Sequence, residues 1–432
     1  MSLNDSPLEE PPMSMSASDF VILRDLVSRY AEAAALPIHR EKAAWWRRLN
    51  RLEPVRPLVW INEIPWHEMN VDDELTTRCA DDYARQVEGE LRRTLYQWRH
   101  LPGDMVLDPV LYVSAVCGPT STYADYGIEE QVVRHDGGHD VSFLPIINTL
   151  ADVERLQTPT VWVDWEETER RFQVMREVCD GIIPVEKRGI VHQWGSPWDQ
   201  MIHWYGIEKL YMDMVDRPEL VHALLTRFMA AVHRVLDQQE AMGLLSVSDG
   251  NHRVGSGGLG ITDALPQPDY VPGTPARLMD QWGTSTGQIF SEVSPAMHDE
   301  FCLQYEQPYL ERFGLSCYGC CEPLHHKMGI LRKVKNLRRV SMSYWIDLDK
   351  AAAEVGADYV FSYKPTPAVF AWDAWDPEPA RANLRTALEK ARGCRVELIM
   401  KDISTVRGEP RRLWAWEKIA MEEAERAAEA YV

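Results

Sequence analysis

The segment "SCYGCCEPLHHKM", residues 316–328, sets three cysteines, a glutamate and two histidines within thirteen positions. Thiolate sulfur together with imidazole or carboxylate is the donor set that zinc accepts in a catalytic site with one position left open. Cys320, Cys321, Glu322 and His325 are therefore the candidate metal ligands. Side chains alternate across a strand, so Cys320 and Cys321 share a face only if the strand has already ended. Otherwise one reaches the site and the other packs. Cys317 is expected in the core, and its CxxC spacing with Cys320 is a weak redox signal. The competing reading is small buried thiols ahead of a proline-started helix, because free cysteine is among the most buried residue types.

Three further stretches carry chemistry. "SDGNHRVGSGGLGITD", residues 248–263, reads either as a flexible loop over a site, with Asp249 or His252 as acid/base group or ligand, or as an exposed turn. No Gly-Lys-Ser/Thr follows, so it is not a phosphate loop. Lys401 and Asp402 stand side by side after "LIM", as a catalytic pair or as a structural ion pair. His135 and His139 in "RHDGGHD" are four apart but set among Asp and Gly, which argues against one helix presenting both to a metal.

These groups need elements to position them. Short apolar runs that turn polar at their C-terminal ends recur: 58–62, 109–116, 189–200, 244–250, 315–320, 339–345, 358–365 and 395–404. Helical patterns alternate with them, most clearly after Asp216, where Val221, Leu224, Leu225, Phe228, Val232, Val235 and Leu236 form a stripe that ends at Gly243. Alternation of strand, polar loop and helix is the signature of βα units with a parallel sheet. About eight strand candidates after residue 55 predict a closed (β/α)8 barrel, the alternative being an open doubly wound sheet, for which no GxGxxG follows the first strand. Residues 1–18 read as a disordered arm, 19–54 as a helical extension and 55–432 as the barrel.

In such a barrel chemistry gathers at the C-terminal strand ends. Reading only those ends places Asn62, Trp66, His192, Trp194, Trp345, Tyr363 and Lys364 as substrate-binding candidates, with Asp249, His252, Lys401 and Asp402 as catalytic ones. The tryptophans would wall an apolar pocket that also suits a methylated or quaternary ligand. The 16 tryptophans overall point to aromatic-lined surfaces or an aromatic-rich core.

With 45% hydrophobic and 26% charged residues the composition is that of a globular chain, which excludes overall disorder. The formal net charge of −20 argues against nucleic acid or an anionic membrane as partner. No charged-then-apolar leader is present and no apolar run is long enough to span a bilayer, so the cytoplasm is the expected address, with clustered free cysteines rather than disulfides.

The helical "LVSRYAEAAALP", the strand "VRPLVWINEIPWHEMN" and the strand end "YGCCEPLH" resemble the uroporphyrinogen decarboxylase-like superfamily, and within it the corrinoid-linked methyltransferases. The resemblance implies a (β/α)8 barrel with its site at the C-terminal face. It also implies a zinc acting as Lewis acid and a separate corrinoid protein that carries the methyl group. The expected activity is methyl transfer from a small methylated substrate such as a methoxylated aromatic, a methylamine or a methyl thioether. In the thiol-methylating members a His-x-Cys and a later Cys hold the zinc. Here Cys320 matches the first cysteine, Tyr318 stands where the histidine would be, and Ser404 and Thr405 follow "LIMKD" with no cysteine. Asp249, His252, Glu322 or His325 would then have to complete a metal site. The decarboxylase itself fits less well, because "NEIPWHEMN" lacks the cations that a tetrapyrrole with many carboxylates needs. Two other readings stay open: a metal-independent decarboxylase or lyase using Lys364, Lys401 and Asp402, and a barrel that only binds a small ligand. Assembly as a homodimer is also open.

Overall fold

Runs such as "LVWI", "LSCY" and "VFSY" are too short for helices and carry apolar or small side chains at successive positions, which suits strands covered on both faces. The computed structural model describes residues 15–134 and 141–431. His135, His139 and residues 1–14 of the expected arm lie outside the described residues.

The chain is an α/β protein with one seven-stranded parallel sheet. Its strands are β1 Leu58–Ile61, β2 Gln193–Gly195, β3 Trp282–Ser285, β4 Leu315–Tyr318, β5 Leu337–Met342, β6 Val360–Tyr363 and β7 Arg395–Met400. The order is β1-β7-β6-β5-β4-β3-β2, so the first strand lies beside the last, with Leu58 opposite Glu397 and Ile61 opposite Met400. Among the helices are α1 Ala17–Ala34, α2 Ile38–Asn50, α3 Asp82–His100, α4 Trp165–Cys179, α5 Ile207–Asp216, α6 Pro218–Ala241, α7 Leu348–Val355, α8 Pro377–Lys390 and α9 Arg411–Ala427. The stripe expected along α6 is buried as read. Asp216 does not cap it: Asp216 ends α5, and Pro218 sits in the first turn of α6, where its missing N–H costs nothing.

The hydrogen-bonded ladder does not close into the expected eight-stranded barrel. The free edge of β1 meets an aspartate instead of a strand. Val59 N–H donates to Asp104 Oδ2 at 2.7 Å, Val59 O accepts from Asp104 N–H at 2.7 Å, and Arg56 clamps the same carboxylate at 2.6 Å. The apolar run at 109–116 forms the strand Leu111–Ser114, which pairs with Val185–Arg188 in a separate two-stranded ladder. The run at 244–250 contributes only a bridge between Leu245 and Ile190. A seam thus remains between β1 and β2.

The glycine-rich part of the 248–263 segment is not an exposed turn, although His252 and Arg253 at its start reach the strand ends. Residues 254–262 are buried and run through the interior. A Cβ on Gly258 would lie 2.4 Å from the Trp46 ring and 2.8 Å from Glu397, so only glycine allows this approach. Gly258 N–H donates to Glu397 Oε1 at 2.9 Å, and Arg339 donates to Gly258 O, Leu259 O and Asn50 Oδ1. Arg339 and Glu397, both fully buried, pair at 3.4 Å. Trp46 and Leu49 of α2 close this layer against Val55, Leu58 and Leu259.

Candidate functional site

The site is built where β4 and β7 end. Gly319, at φ 96°, terminates β4, and a Cβ there would lie 2.5 Å from Ser341 O. Because the strand has ended, the alternation of faces no longer applies, and both cysteines reach the same place, contrary to the expectation that one would pack away. Their sulfurs are 3.4 Å apart. Lys401, the first residue after β7 and 4% exposed, donates from Nζ to Cys320 Sγ at 3.1 Å and lies 3.7 Å from Cys321 Sγ. The same ammonium is 3.2 Å from Asp402 Oδ1 and 3.5 Å from Glu63 Oε1. Glu63 in turn accepts from Arg253 at 2.8 Å.

Electrostatics follow from this geometry. Burial works against the charge of Lys401, but the sulfurs, Glu63 and Asp402 outweigh it and hold its pKa above the ordinary lysine value. The Cys320 thiol is drawn down to about 7, mainly by hydrogen bonding from Cys321, against burial and with help from the Lys401 charge. Cys321 is pushed up, by its hydrogen bond to Cys320 and by burial, and its sulfur lies 3.1 Å from Asp402 Oδ2. Near neutrality the pair therefore shares one thiolate, on the sulfur nearer the ammonium. Glu63 and Asp402 adopt left-handed backbone at φ 51° and 57°, a conformation non-glycine residues seldom take and one that clusters at functional sites.

Two cavities open on this wall and share Cys321, Lys401 and Asp402. One, of about 390 Å³, is bounded by Tyr344, Trp345, Pro365, Pro367 and Lys364. The other, of about 610 Å³, is bounded by Glu63, His192, Trp194, His252, Arg253 and Gln288. His192 accepts from Gly255 N–H at 3.1 Å and is lowered to about 4 by burial, then by Arg253, so it stays neutral. His252 is likewise held far below its ordinary value by burial, and its Nε2 lies 3.1 Å from Ser248 Oγ. Lys364 is lowered to about 8 by burial and donates to Ser362 Oγ at 2.7 Å. Trp345 stands on the rim, 72% exposed.

Other candidates lie elsewhere. Asn62 supports the turn after β1 through a hydrogen bond from Glu63 N–H at 2.9 Å, with its Nδ2 buried and unpartnered. Trp66 packs edge-on against Tyr96, and Tyr363 is buried near Phe361. Asp249 lies near Arg188, away from Lys401. Glu322 is fully buried behind the cysteines, where it accepts from Cys320 N–H at 2.5 Å, Thr286 Oγ1 at 2.7 Å and Gly287 N–H at 2.9 Å. His325 stacks edge-on with His326 and joins no cluster with the cysteines among the described residues. Cys320, Cys321, Glu322 and His325 thus do not converge as four ligands. Among the described residues the group with metal-ligand spacing is His298, Cys302 and Glu306, whose donor atoms lie within 4.8 Å of one another and which could hold a metal. The Tyr318 hydroxyl lies among them, 2.7 Å from both His298 Nε2 and Glu306 Oε2. Sequence reasoning passed over Arg253 and gave Glu63 no role, although Glu63 directly follows the first strand end.

No family model matches the chain, and no relative is found among curated proteins. Among solved structures, a methyltransferase from Methanosarcina mazei is similar at a TM-score of 0.50 and 12% identity, covering 88% of this chain and 98% of that one. At this identity the likeness speaks to fold. No helix among the described residues is long and apolar enough to cross a membrane.

Proposed function

We propose that the protein is a methyltransferase or demethylase that takes a methyl group from a small methylated substrate and passes it to a corrinoid carried by a partner protein. The observation that carries this reading is the Lys401 ammonium in the wall shared by two cavities, beside a thiolate. The smaller, aromatic cavity suits the methylated substrate and the larger one the acceptor. A bound corrinoid would supply the nucleophile that accepts the methyl group. As the bond between methyl carbon and heteroatom breaks, its electron pair stays on the heteroatom, and the Lys401 ammonium stabilises the charge that develops there. Cys320 and Asp402 keep Lys401 charged and fixed before the transfer. The heteroatom then takes its proton from solvent, to which the Asp402 side of the site is exposed. Electrostatic stabilisation by one preorganised donor contributes roughly a hundredfold or more.

The residues present do not fit a zinc at the strand ends. The ammonium lies against both sulfurs, the carboxylate of Glu322 is engaged by protein donors, and His325 is elsewhere. Lys401 takes the electrophilic role that the resemblance gave to zinc. A metal held by His298, Cys302 and Glu306 would be structural, since all three are fully buried.

The test is to mix purified protein with free reduced cobalamin and methoxylated benzoates, methylamines or methyl thioethers, and to follow methylcobalamin by absorbance. One donor class is expected to react, unchanged after chelation, and Lys401→Met is expected to lose about a hundredfold or more. Lack of any reaction, or full activity in Lys401→Met, would sink the reading. Release of carbon dioxide from a carboxylated substrate without an acceptor would favour a lyase instead.

A further inference from the structure

The seam between β1 and the Leu111–Ser114/Val185–Arg188 ladder holds a cavity of about 560 Å³ that shares no lining residue with the strand-end cavities. Its wall includes Trp60, Tyr83, Asp108, Leu111, Tyr112 and Arg188. Arg188 is half-buried, and its guanidinium lies over the Tyr112 ring at 4.5 Å. It has no ion pair and no acceptor for its side-chain N–H groups among the described residues, although a guanidinium offers five such donors. Asp108, also half-buried, receives no hydrogen bond on its carboxylate among the described residues, where its backbone carbonyl accepts from Tyr30. Burial raises Asp108 to about 6 against the pull of Arg188, and burial lowers Arg188.

Half-buried charges without partners are costly and are normally paired. Of the charged groups facing this cavity, Glu90 and Arg171 are bonded to Gln86 and Glu167, whereas Arg188 and Asp108 make no hydrogen bond or ion pair with each other, and Asp249 acts on Arg188 only through space. We propose that this cavity binds a small zwitterion of the α-amino-acid type, its carboxylate taken by Arg188 and its ammonium by Asp108. Guanidinium and carboxylate match bidentately, which favours Arg188 as the carboxylate clamp. The aromatic and apolar wall of Trp60, Tyr83, Leu111 and Met175 suits an aromatic or long aliphatic side chain. The volume lies within the range of small-molecule sites.

Isothermal titration of the full chain tests this with L-phenylalanine, L-phenylalaninamide, which lacks the carboxylate, and N-acetyl-L-phenylalanine, which lacks the ammonium, followed by the other common L-amino acids. The free amino acid is expected to bind, and each derivative to bind about tenfold or more weakly, the scale of one lost charged hydrogen bond. Arg188→Met is expected to erase the difference between acid and amide, and Asp108→Asn that between free and acetylated amine. Thermal melting and the alkylation of Cys320 show whether the variants remain folded. Absence of saturable binding for every amino acid overturns the proposal, as does an acid-to-amide ratio that survives in folded Arg188→Met. The comparison of the three ligands on the unmodified chain decides it even if a variant does not fold.

Discussion

A thiolate beside an ammonium is a pair that neither group would form alone at this depth. Cys320 is 4% exposed, and burial by itself would keep its thiol protonated, as it does for Cys317, pushed to about 12. What reverses the sign at Cys320 is its neighbours. The sign has a direct consequence for reactivity: the anion is populated above a pH of about 7 rather than near the ordinary 9.0. Iodoacetamide alkylation of Cys320, followed by mass spectrometry, is expected to rise with pH and reach half its maximum near 7. Cys321→Ala and Lys401→Met should each move that midpoint upward, and an unshifted midpoint in both would remove the pair as its cause. At this scale the sequence was legible where chemistry sits directly after a strand. Lys401, Asp402, Cys320 and Cys321, read from the strand ends, lie together in the structure. Glu322 and His325 were misplaced because a chain that turns at Gly319 no longer obeys strand alternation, and no spacing shows where it goes next.

Among the elements, the glycine-rich segment is the instructive case. Glycines in sequence read equally as freedom to move or as room for something else. At 254–262 the second meaning holds, since Trp46, Arg339 and Glu397 occupy the space that side chains would need. Gly258→Ala is therefore expected to destabilise the protein by about 1–3 kcal/mol in urea unfolding, the scale of an overpacked core. Gly250→Ala, where an added Cβ meets nothing within 4 Å, should stay within about 0.5 kcal/mol. Equal effects at the two positions would contradict the account. Helices were read more surely than strands. The stripe expected after Asp216 is buried along α6, because a long amphipathic period is its own evidence. The runs at 109–116 and 244–250 look like strands too, but an apolar run states only that it is buried and not which neighbour it pairs with.

Over the whole molecule, the parallel sheet followed from the alternation of strand and helix, whereas closure did not, because Asp104 completes the edge of β1 from outside any strand. The interior is held by Arg339 and Glu397, and that pair ties α2, the glycine segment and two strands together. Removing one charge from a buried pair leaves the other uncompensated. Arg339→Leu is expected to cost about 3–5 kcal/mol, and Arg339→Leu with Glu397→Leu less than the single change, both measured by urea unfolding. A single variant as stable as the unmodified chain would show that the pair contributes little to the fold.

The adjacency of β1 and β7 also bears on the order of events at the ribosome. Leu58 must wait for Glu397 before its ladder can form, one of the longest loop closures the chain contains, and such contacts are slow and made late. Glu63 and Lys401 come from the ends of those two strands. The ammonium therefore meets Glu63 only once the chain through Lys401 has emerged, and until then a nascent chain carries its cysteines without that cation beside them.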